Sequence, residues 1–74
     1  MSAYDEVARL RRQWPNEFRD GARCAFLHRF YGEREKGGYP RGFHLWALER
    51  RNAWFAGSNR GFHDRLRLFR KEAA

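Results

Sequence analysis

The feature of this chain that most constrains its fold is a heptad spacing that runs unbroken through its last third. Eight residues are separated by alternating steps of three and four, namely Leu45, Leu48, Asn52, Phe55, Asn59, Phe62, Leu66 and Phe69. This is the a/d pattern of a single helical face, and we call these residues the heptad face. The pattern predicts one long helix from about 43 to 71. Residues 57–59 are where that helix could kink, and we expect it to continue through them.

A second apolar stripe follows the same predicted helix. Its members are Phe43, Ala47, Trp54, Gly57, Gly61 and Leu68. Gly57 and Gly61 lie four residues apart and leave a bare strip where another helix or a nucleic-acid backbone could come close. The pattern aromatic-x-x-Gly-x-x-x-small-Phe occurs at both 18–26 and 54–62, so two helices could cross there closely. We expect both stripes to pack within the protein, with the aromatic rings mainly filling the core.

A short helix is predicted at the beginning of the chain. Val7, Leu10 and Trp14 share one helical face, whereas Pro15 cannot continue that helix. The first helix is therefore expected over about 3–13.

A second short helix is expected to begin after Asn16, a residue type that caps helices well. Its apolar stripe consists of Phe18, Ala22, Phe26 and Phe30. Gly32 is expected to end this helix, and the charged, Gly-rich and Pro-containing segment 33–42 predicts a loop. Because the chain has one Val and no Ile, strands are disfavoured. The predicted fold is all-α, a single basic helical domain over 1–74 with two short helices packed on one long C-terminal helix.

The residue types present argue against several functional classes. No run of about eighteen apolar residues exists for a transmembrane helix, and the single cysteine, Cys24, fits a reducing cytoplasm. Cys24 and His28 lie four residues apart, but a tetrahedral zinc site needs two such pairs. Neither Ser2 nor Ser58, the two serines, lies in a Gly-x-Ser-x-Gly elbow. We predict a cytoplasmic, non-catalytic protein with no metal or other cofactor and no membrane partner.

The positive charge points to a polyanionic partner, since the net charge is +7 and is carried by fourteen Arg and only two Lys. Arginine binds phosphate bidentately and stacks on bases, whereas lysine is a point charge. Arg9, Arg11 and Arg12 crowd the end of the first helix. The expected nucleic-acid-binding residues are Arg50, Arg51, Arg60, Arg65, Arg67, Arg70 and Lys71, with Trp54 available for base stacking. We expect this arginine ridge to neutralise phosphates, with RNA favoured as the ligand.

The segment 51–65 also carries a motif, Arg-x-x-Trp-x-x-Gly-x-x-x-small-x-x-Asp-Arg. The matching residues are Arg51, Trp54, Gly57, Gly61, Asp64 and Arg65. In this stretch the chain resembles the ribosome modulation factors, small basic bacterial proteins. The resemblance implies a helical protein that binds small-subunit ribosomal RNA, promotes inactive paired ribosomes (ribosome hibernation) and so regulates translation. It also implies that Arg51 and Arg65 are basic contacts and that Trp54 and Gly57 shape the helix. The family is shorter, so the first helix and the loop at 33–42 are additions here.

Two other interpretations remain open. One is a small protein-interaction or inhibitor module, encoded by a phage or mobile element, that uses its basic face on an acidic partner protein. The other is a homodimer that forms through the heptad face. Its contact residues would be Leu48, Phe55, Phe62 and Phe69, with the two Asn fixing the register. Copurifying nucleic acid supports the RNA interpretation, whereas capture of one acidic protein supports the inhibitor.

Overall fold

The fold was obtained as a computed structural model, which describes residues 3–27, 34–35 and 38–73. The elements in chain order are α1 (Ala3–Gln13), α2 (Pro15–Leu27), a short 3₁₀ turn (Phe43–Leu45) and α3 (Leu48–Ala73). The predicted architecture is confirmed, because α1 and α2 both pack on the long C-terminal α3 and the described ranges contain no strand. None of the helices described combines the length and the apolar content needed to cross a bilayer. Phe30 and the predicted helix end at Gly32 lie outside the described residues.

The junction between α1 and α2 consists of one residue, which is shorter than the sequence suggested. The predicted bounds of the first helix are confirmed, but α2 begins at Pro15, so the predicted N-cap at Asn16 is wrong. Trp14 alone separates the helices: its N–H donates to the Leu10 carbonyl at 2.8 Å, and its carbonyl accepts from the Phe18 N–H at 3.0 Å. Pro15 suits the first position of a helix because the missing N–H has no intrahelical partner there.

The long helix begins later than predicted and is not broken. Phe43 to Leu45 form a separate 3₁₀ turn, which follows Gly42 at a left-handed φ of 75°. Trp46 then takes an extended backbone conformation, with φ −68° and ψ 149°, so the predicted start at 43 is wrong. This extended residue brings the Trp46 ring within 5.2 Å of the Phe43 ring, centroid to centroid. From Leu48 the helix continues through Gly57, which confirms the expected continuity.

The interface between α2 and α3 is built on very small residues. The two helices run in the same direction, because Phe18 meets Gly57 and Ala22 meets Gly61. A Cβ atom at Gly57 would overlap the Phe18 carbonyl, and one at Gly61 would overlap the Ala22 carbonyl. Gly21 on α2 is just as crowded, since its missing Cβ would overlap the carbonyl of Trp54. The close crossing of the two similar glycine segments is therefore observed.

The Asp20 carboxylate joins α2 and α3 to Arg34, which lies in the segment between these two helices. Asp20 on α2 accepts two hydrogen bonds from the Arg34 guanidinium, at 2.8 and 2.9 Å, and one from Trp54 Nε1 at 2.8 Å. The Arg34 hydrogen bonds hold the pKa of Asp20 below its ordinary value, although partial burial opposes them. The same contact raises the pKa of Arg34. Asp20 thus fixes the position of α2, α3 and Arg34 relative to one another.

The buried face of α3 is the glycine stripe and not the heptad face. The buried apolar residues of the described chain are Leu10, Phe18, Cys24, Phe43, Ala53 and Trp54. By contrast, every apolar member of the heptad face is exposed: Leu45 80%, Leu48 64%, Phe55 45%, Phe62 50%, Leu66 38% and Phe69 52%. The expectation that both stripes pack within the protein is therefore wrong for the heptad face. The reason is that α2 comes close only where α3 has glycine.

Candidate nucleic-acid interface

The arginines predicted to form one ridge are distributed around α3, and two of them are held by carboxylates. Arg50 Nε donates to Glu17 Oε2 at 3.2 Å, and its guanidinium carbon lies 3.8 Å from the centroid of the Trp46 ring. Arg60 Nε contacts the Asp64 carboxylate at 3.3 Å, one helical turn further along. These carboxylates neutralise both guanidiniums, so the ridge is not a continuous positive strip over its first two thirds.

Arg51 and Arg65 are half-buried and have no carboxylate partner among the described residues. Arg65 Nη1 donates to the backbone carbonyl of Phe26 at 3.1 Å, and its guanidinium lies over the Phe69 ring at 5.3 Å. The Nε of Arg51 is buried, and no hydrogen-bond partner for it is found in the described part of the chain. Arg65 therefore ties the end of α2 to α3 while keeping its positive charge.

The last turns of α3 hold the arginines that are most available. Arg67 and Arg70 are exposed, and neither forms an ion pair within the described ranges. Lys71 belongs to the last turns of the same helix, and its side chain is not among those described. We call Arg65, Arg67 and Arg70 the α3 basic end.

Trp54, predicted to stack on bases, lies in the core. Its side chain is only 6% exposed, and its Nε1 is occupied by Asp20. The ring packs against the rings of Tyr39, Phe43 and Phe55 at centroid distances of 5.5–5.7 Å. A base cannot stack on a covered ring, so Trp54 is not part of the candidate interface.

A second basic surface was only partly anticipated. Arg11 and Arg12 at the end of α1 and Arg19 on α2 line one shallow groove, together with the apolar residues Pro15, Phe18 and Ala22. The Arg11 guanidinium lies 5.1 Å from the centroid of the Phe18 ring. We call these three arginines the α1–α2 arginine groove. Arg19 was missed from the sequence because α1 and α2 were treated as separate faces, whereas the helical hydrogen bonds continue on both sides of Trp14 and place Arg11, Pro15 and Arg19 at successive i+4 positions of one face.

Arg9 is paired with carboxylates, unlike the arginines of this groove, although it lies only two residues before Arg11. It contacts the carboxylates of Glu6 and of Glu49 on α3, the latter at 3.1 Å. These hydrogen bonds raise the pKa of Arg9 and, in the case of Glu6, lower the pKa of the carboxyl group. Arg9 therefore joins α1 to α3 and does not add free positive charge.

The two basic surfaces lie at opposite ends of α2. The α1–α2 arginine groove includes the first residue of α2, whereas Arg65 contacts Phe26 near its last turn. Both surfaces offer guanidinium groups to phosphate oxygens, the contact for which arginine is best suited.

The described residues give no support to metal or thiol chemistry at another site. No group of three His, Cys, Asp or Glu side chains lies close enough to hold a metal ion within the described ranges. Cys24 is buried, with its Sγ 4.0 Å from Asp20 Oδ1, and His28 lies outside those ranges.

The residues that resemble the ribosome modulation factors serve mainly in packing. Trp54, Gly57 and Gly61 form the contact with α2, and Asp64 pairs with Arg60 instead of Arg65. Comparison with protein-family models, with curated proteins and with solved structures finds no match to this chain.

Proposed function

We propose that this protein binds nucleic acid without catalysing a reaction, and that its ligand is structured RNA. The observation that carries the proposal is the set of exposed arginines with no carboxylate partner among the described residues. They are Arg11, Arg12, Arg19, Arg67 and Arg70. A guanidinium without such a partner keeps its fork of N–H donors for phosphate oxygens. The resemblance to the ribosome modulation factors makes ribosomal RNA, and modulation of translation, the specific form of this proposal.

The electrostatic balance of the chain supports the same function. The net charge is +7, while the carboxylates are largely engaged with a few structural arginines such as Arg9, Arg34 and Arg50. The remaining positive charge is therefore concentrated on the two basic surfaces. A ligand that contacts both surfaces has to present phosphates at several places along α2, which a folded RNA stem does. Counterion release then contributes much of the affinity and makes it steeply dependent on salt.

The test compares arginines that are free with arginines that are paired. One variant replaces Arg11, Arg12 and Arg19 with Gln, and the matched control replaces Arg9, Arg50 and Arg60 with Gln, so that both lose three positive charges. Binding to a labelled fragment of small-subunit ribosomal RNA is followed by fluorescence anisotropy, and helicity is checked by circular dichroism. We expect at least tenfold weaker binding for the first variant, with a salt slope shallower by about one per lost phosphate contact. The control is expected to stay within about threefold of the wild type, because its arginines contribute less free charge.

Three results would contradict the proposal. An equal loss of affinity in both variants shows that net charge alone determines binding, and it refutes the assignment of the two basic surfaces as the binding site. Tighter binding to duplex DNA of equal length refutes RNA as the ligand. A purified wild-type protein that binds neither nucleic acid at low salt, and captures one acidic protein instead, favours the interaction module. Sedimentation of ribosomes with the protein tests the ribosomal form, for which we expect co-migration with the small subunit and more paired ribosomes.

A further inference from the structure

The heptad face is a large apolar surface that the described part of the fold leaves uncovered. Its six apolar members are between 38% and 80% exposed. Since a large apolar side chain offers on the order of 200 Å², the five members on α3 present roughly 500 Å² of apolar surface, to which Leu45 in the 3₁₀ turn adds. This lies in the upper part of the range for the largest patch on a soluble monomer, about 300–600 Å². One partner of a standard interface contributes about 800 Å², of which a little more than half is apolar, so the area matches one half of a stable protein–protein contact.

The middle of this face forms the floor of a groove. Leu10 on α1 lies beside it, and the floor consists of the α3 residues Asn52, Phe55, Ala56, Asn59 and Phe62. The heptad face continues beyond the groove with Leu66 and Phe69, whose apolar side chains are exposed. The groove and these side chains together form one elongated apolar surface along α3.

The pattern of the face specifies a helix as its partner. Alternating steps of three and four over the seven positions of α3, from Leu48 to Phe69, are what a second helix needs for knobs-into-holes packing. Asn52 and Asn59 are exposed and occupy two of these positions, where an amide commonly pairs across a helical interface and fixes its register. Within this chain α3 is itself such a helix, so a second copy supplies the required partner.

The charges along α3 determine the direction of that pairing. Its beginning carries Glu49, which is already paired with Arg9, followed by Arg50 and Arg51, whereas its end carries Arg65, Arg67 and Arg70. A parallel pair would place the two α3 basic ends together. An antiparallel pair keeps these ends apart, and it places the two Asn59 side chains beside the symmetry axis. Leu48 then faces Phe69, since these residues lie at nearly equal distances on either side of Asn59.

We propose that two copies of this chain form an antiparallel dimer, in which the heptad face of each α3 packs along the heptad face of the other copy. Both α1–α2 arginine grooves lie away from the contact residues. The dimer therefore does not depend on the proposed function, and either proposal can fail without the other.

The first test measures mass by light scattering over a concentration series. The chain has a mass of 9.0 kDa, and we expect the wild type to approach twice that value. Phe62→Glu is expected to shift the protein to the monomer, because it places a charge in the apolar contact. The matched control is Leu68→Glu, since Leu68 is 46% exposed, comparable to 50% for Phe62, but lies off the heptad face. Circular dichroism establishes that both variants keep their helices.

A wild type that stays at the monomer mass throughout the series overturns the proposal. Equal dissociation by Phe62→Glu and Leu68→Glu also overturns it, because the effect would then come from charge and not from the heptad face.

The second test determines the direction of the helices by disulfide cross-linking. Leu48→Cys and Phe69→Cys are prepared separately, and the buried Cys24 is left in place with the wild type as its control. Oxidation of the mixture is expected to join Leu48→Cys to Phe69→Cys, while each protein alone gives little product, because a disulfide requires the two Cα atoms within about 7 Å. Efficient cross-linking of each protein to itself would indicate a parallel pair and refute the antiparallel arrangement.

Discussion

The two faces of α3 show that the more hydrophobic face of a helix is not always the face that is buried. The face towards α2 carries Gly57 and Gly61, and the backbone of α2 lies directly against it. The opposite face carries Phe55, Phe62 and Phe69, and all three remain about half exposed. Hydrophobic spacing alone would assign the core to the second face. The small residues decide otherwise, because they permit the close approach that excludes water most completely.

The largest expected effect comes from adding one methyl group to the glycine face. Gly57→Ala improves helix propensity by about 1 kcal/mol, yet its Cβ would overlap the Phe18 carbonyl. We expect a net loss of about 3 kcal/mol in the free energy of unfolding, because α2 has to move away from α3. Urea unfolding measures this loss. Asn59→Ala on the exposed face is the control, and stability of Gly57→Ala equal to or above that of the wild type would refute the packing argument.

A somewhat smaller loss in the free energy of unfolding is expected from removing the Asp20 carboxylate, which joins Arg34 to α2 and α3. Asp20→Ala leaves Arg34 and Trp54 Nε1 without their acceptor, which we expect to cost about 2–3 kcal/mol. The matched control is Asp64→Ala, whose exposed pair with Arg60 contributes less than about 1 kcal/mol. Equal losses in the two variants, measured by urea unfolding, would show that Asp20 has no special role.

The same carboxylate predicts how stability depends on pH. Because the folded protein lowers the pKa of Asp20 from its ordinary value of 3.8, the unfolded chain takes up this proton first as the pH falls. The stabilisation is complete above the unfolded pKa and is lost as the pH falls through the lowered, folded pKa. Thermal unfolding between neutral pH and pH values below about 4 measures this loss. In Asp20→Asn the corresponding part of the slope should disappear, and an unchanged slope would contradict the assignment.

The smallest effect is expected on the exposed face. Leu66→Gln should change the free energy of unfolding by no more than about 0.5 kcal/mol when it is measured at dilutions where the protein is monomeric. Leu10→Ala provides the contrast: Leu10 is 4% exposed, and its truncation should cost about 2–4 kcal/mol. A large loss for Leu66→Gln in the monomer would mean that the heptad face is covered within one chain.

The sequence predicted the helices and their bounds better than it predicted which of their side chains are buried. The bounds of α1 and the continuity of α3 followed from local rules, namely the stop at Pro15 and the unbroken heptad spacing. The start of α3 did not, because Trp46 is extended to pack on Phe43, a tertiary contact with no local signal. Burial of Trp54 likewise depends on Asp20, 34 residues earlier in the chain. Periodicity identifies an apolar face, but not the surface that covers it.

The same limit applies to the candidate site. The excess of arginine was evident from composition, but which arginines are free depends on carboxylates from other elements. Arg50 is paired because α2 brings Glu17 to it, and Arg9 because α3 brings Glu49. Arg67 and Arg70 extend beyond these carboxylates, and spacing along one helix could not distinguish the two groups.

The shared direction of α2 and α3 has a consequence for how the chain folds. Antiparallel helices joined by a short turn can close like a zipper from that turn, but these two helices cannot. Contacts such as Phe18 with Gly57 link residues 39 positions apart, so the two helices have to come together over a long stretch of sequence before any of these contacts forms. Closing a loop of that length costs conformational entropy, and the packing contacts that compensate for this cost form only afterwards. The docking of α3, and not the formation of α1 or α2, is therefore the step that should limit the folding rate.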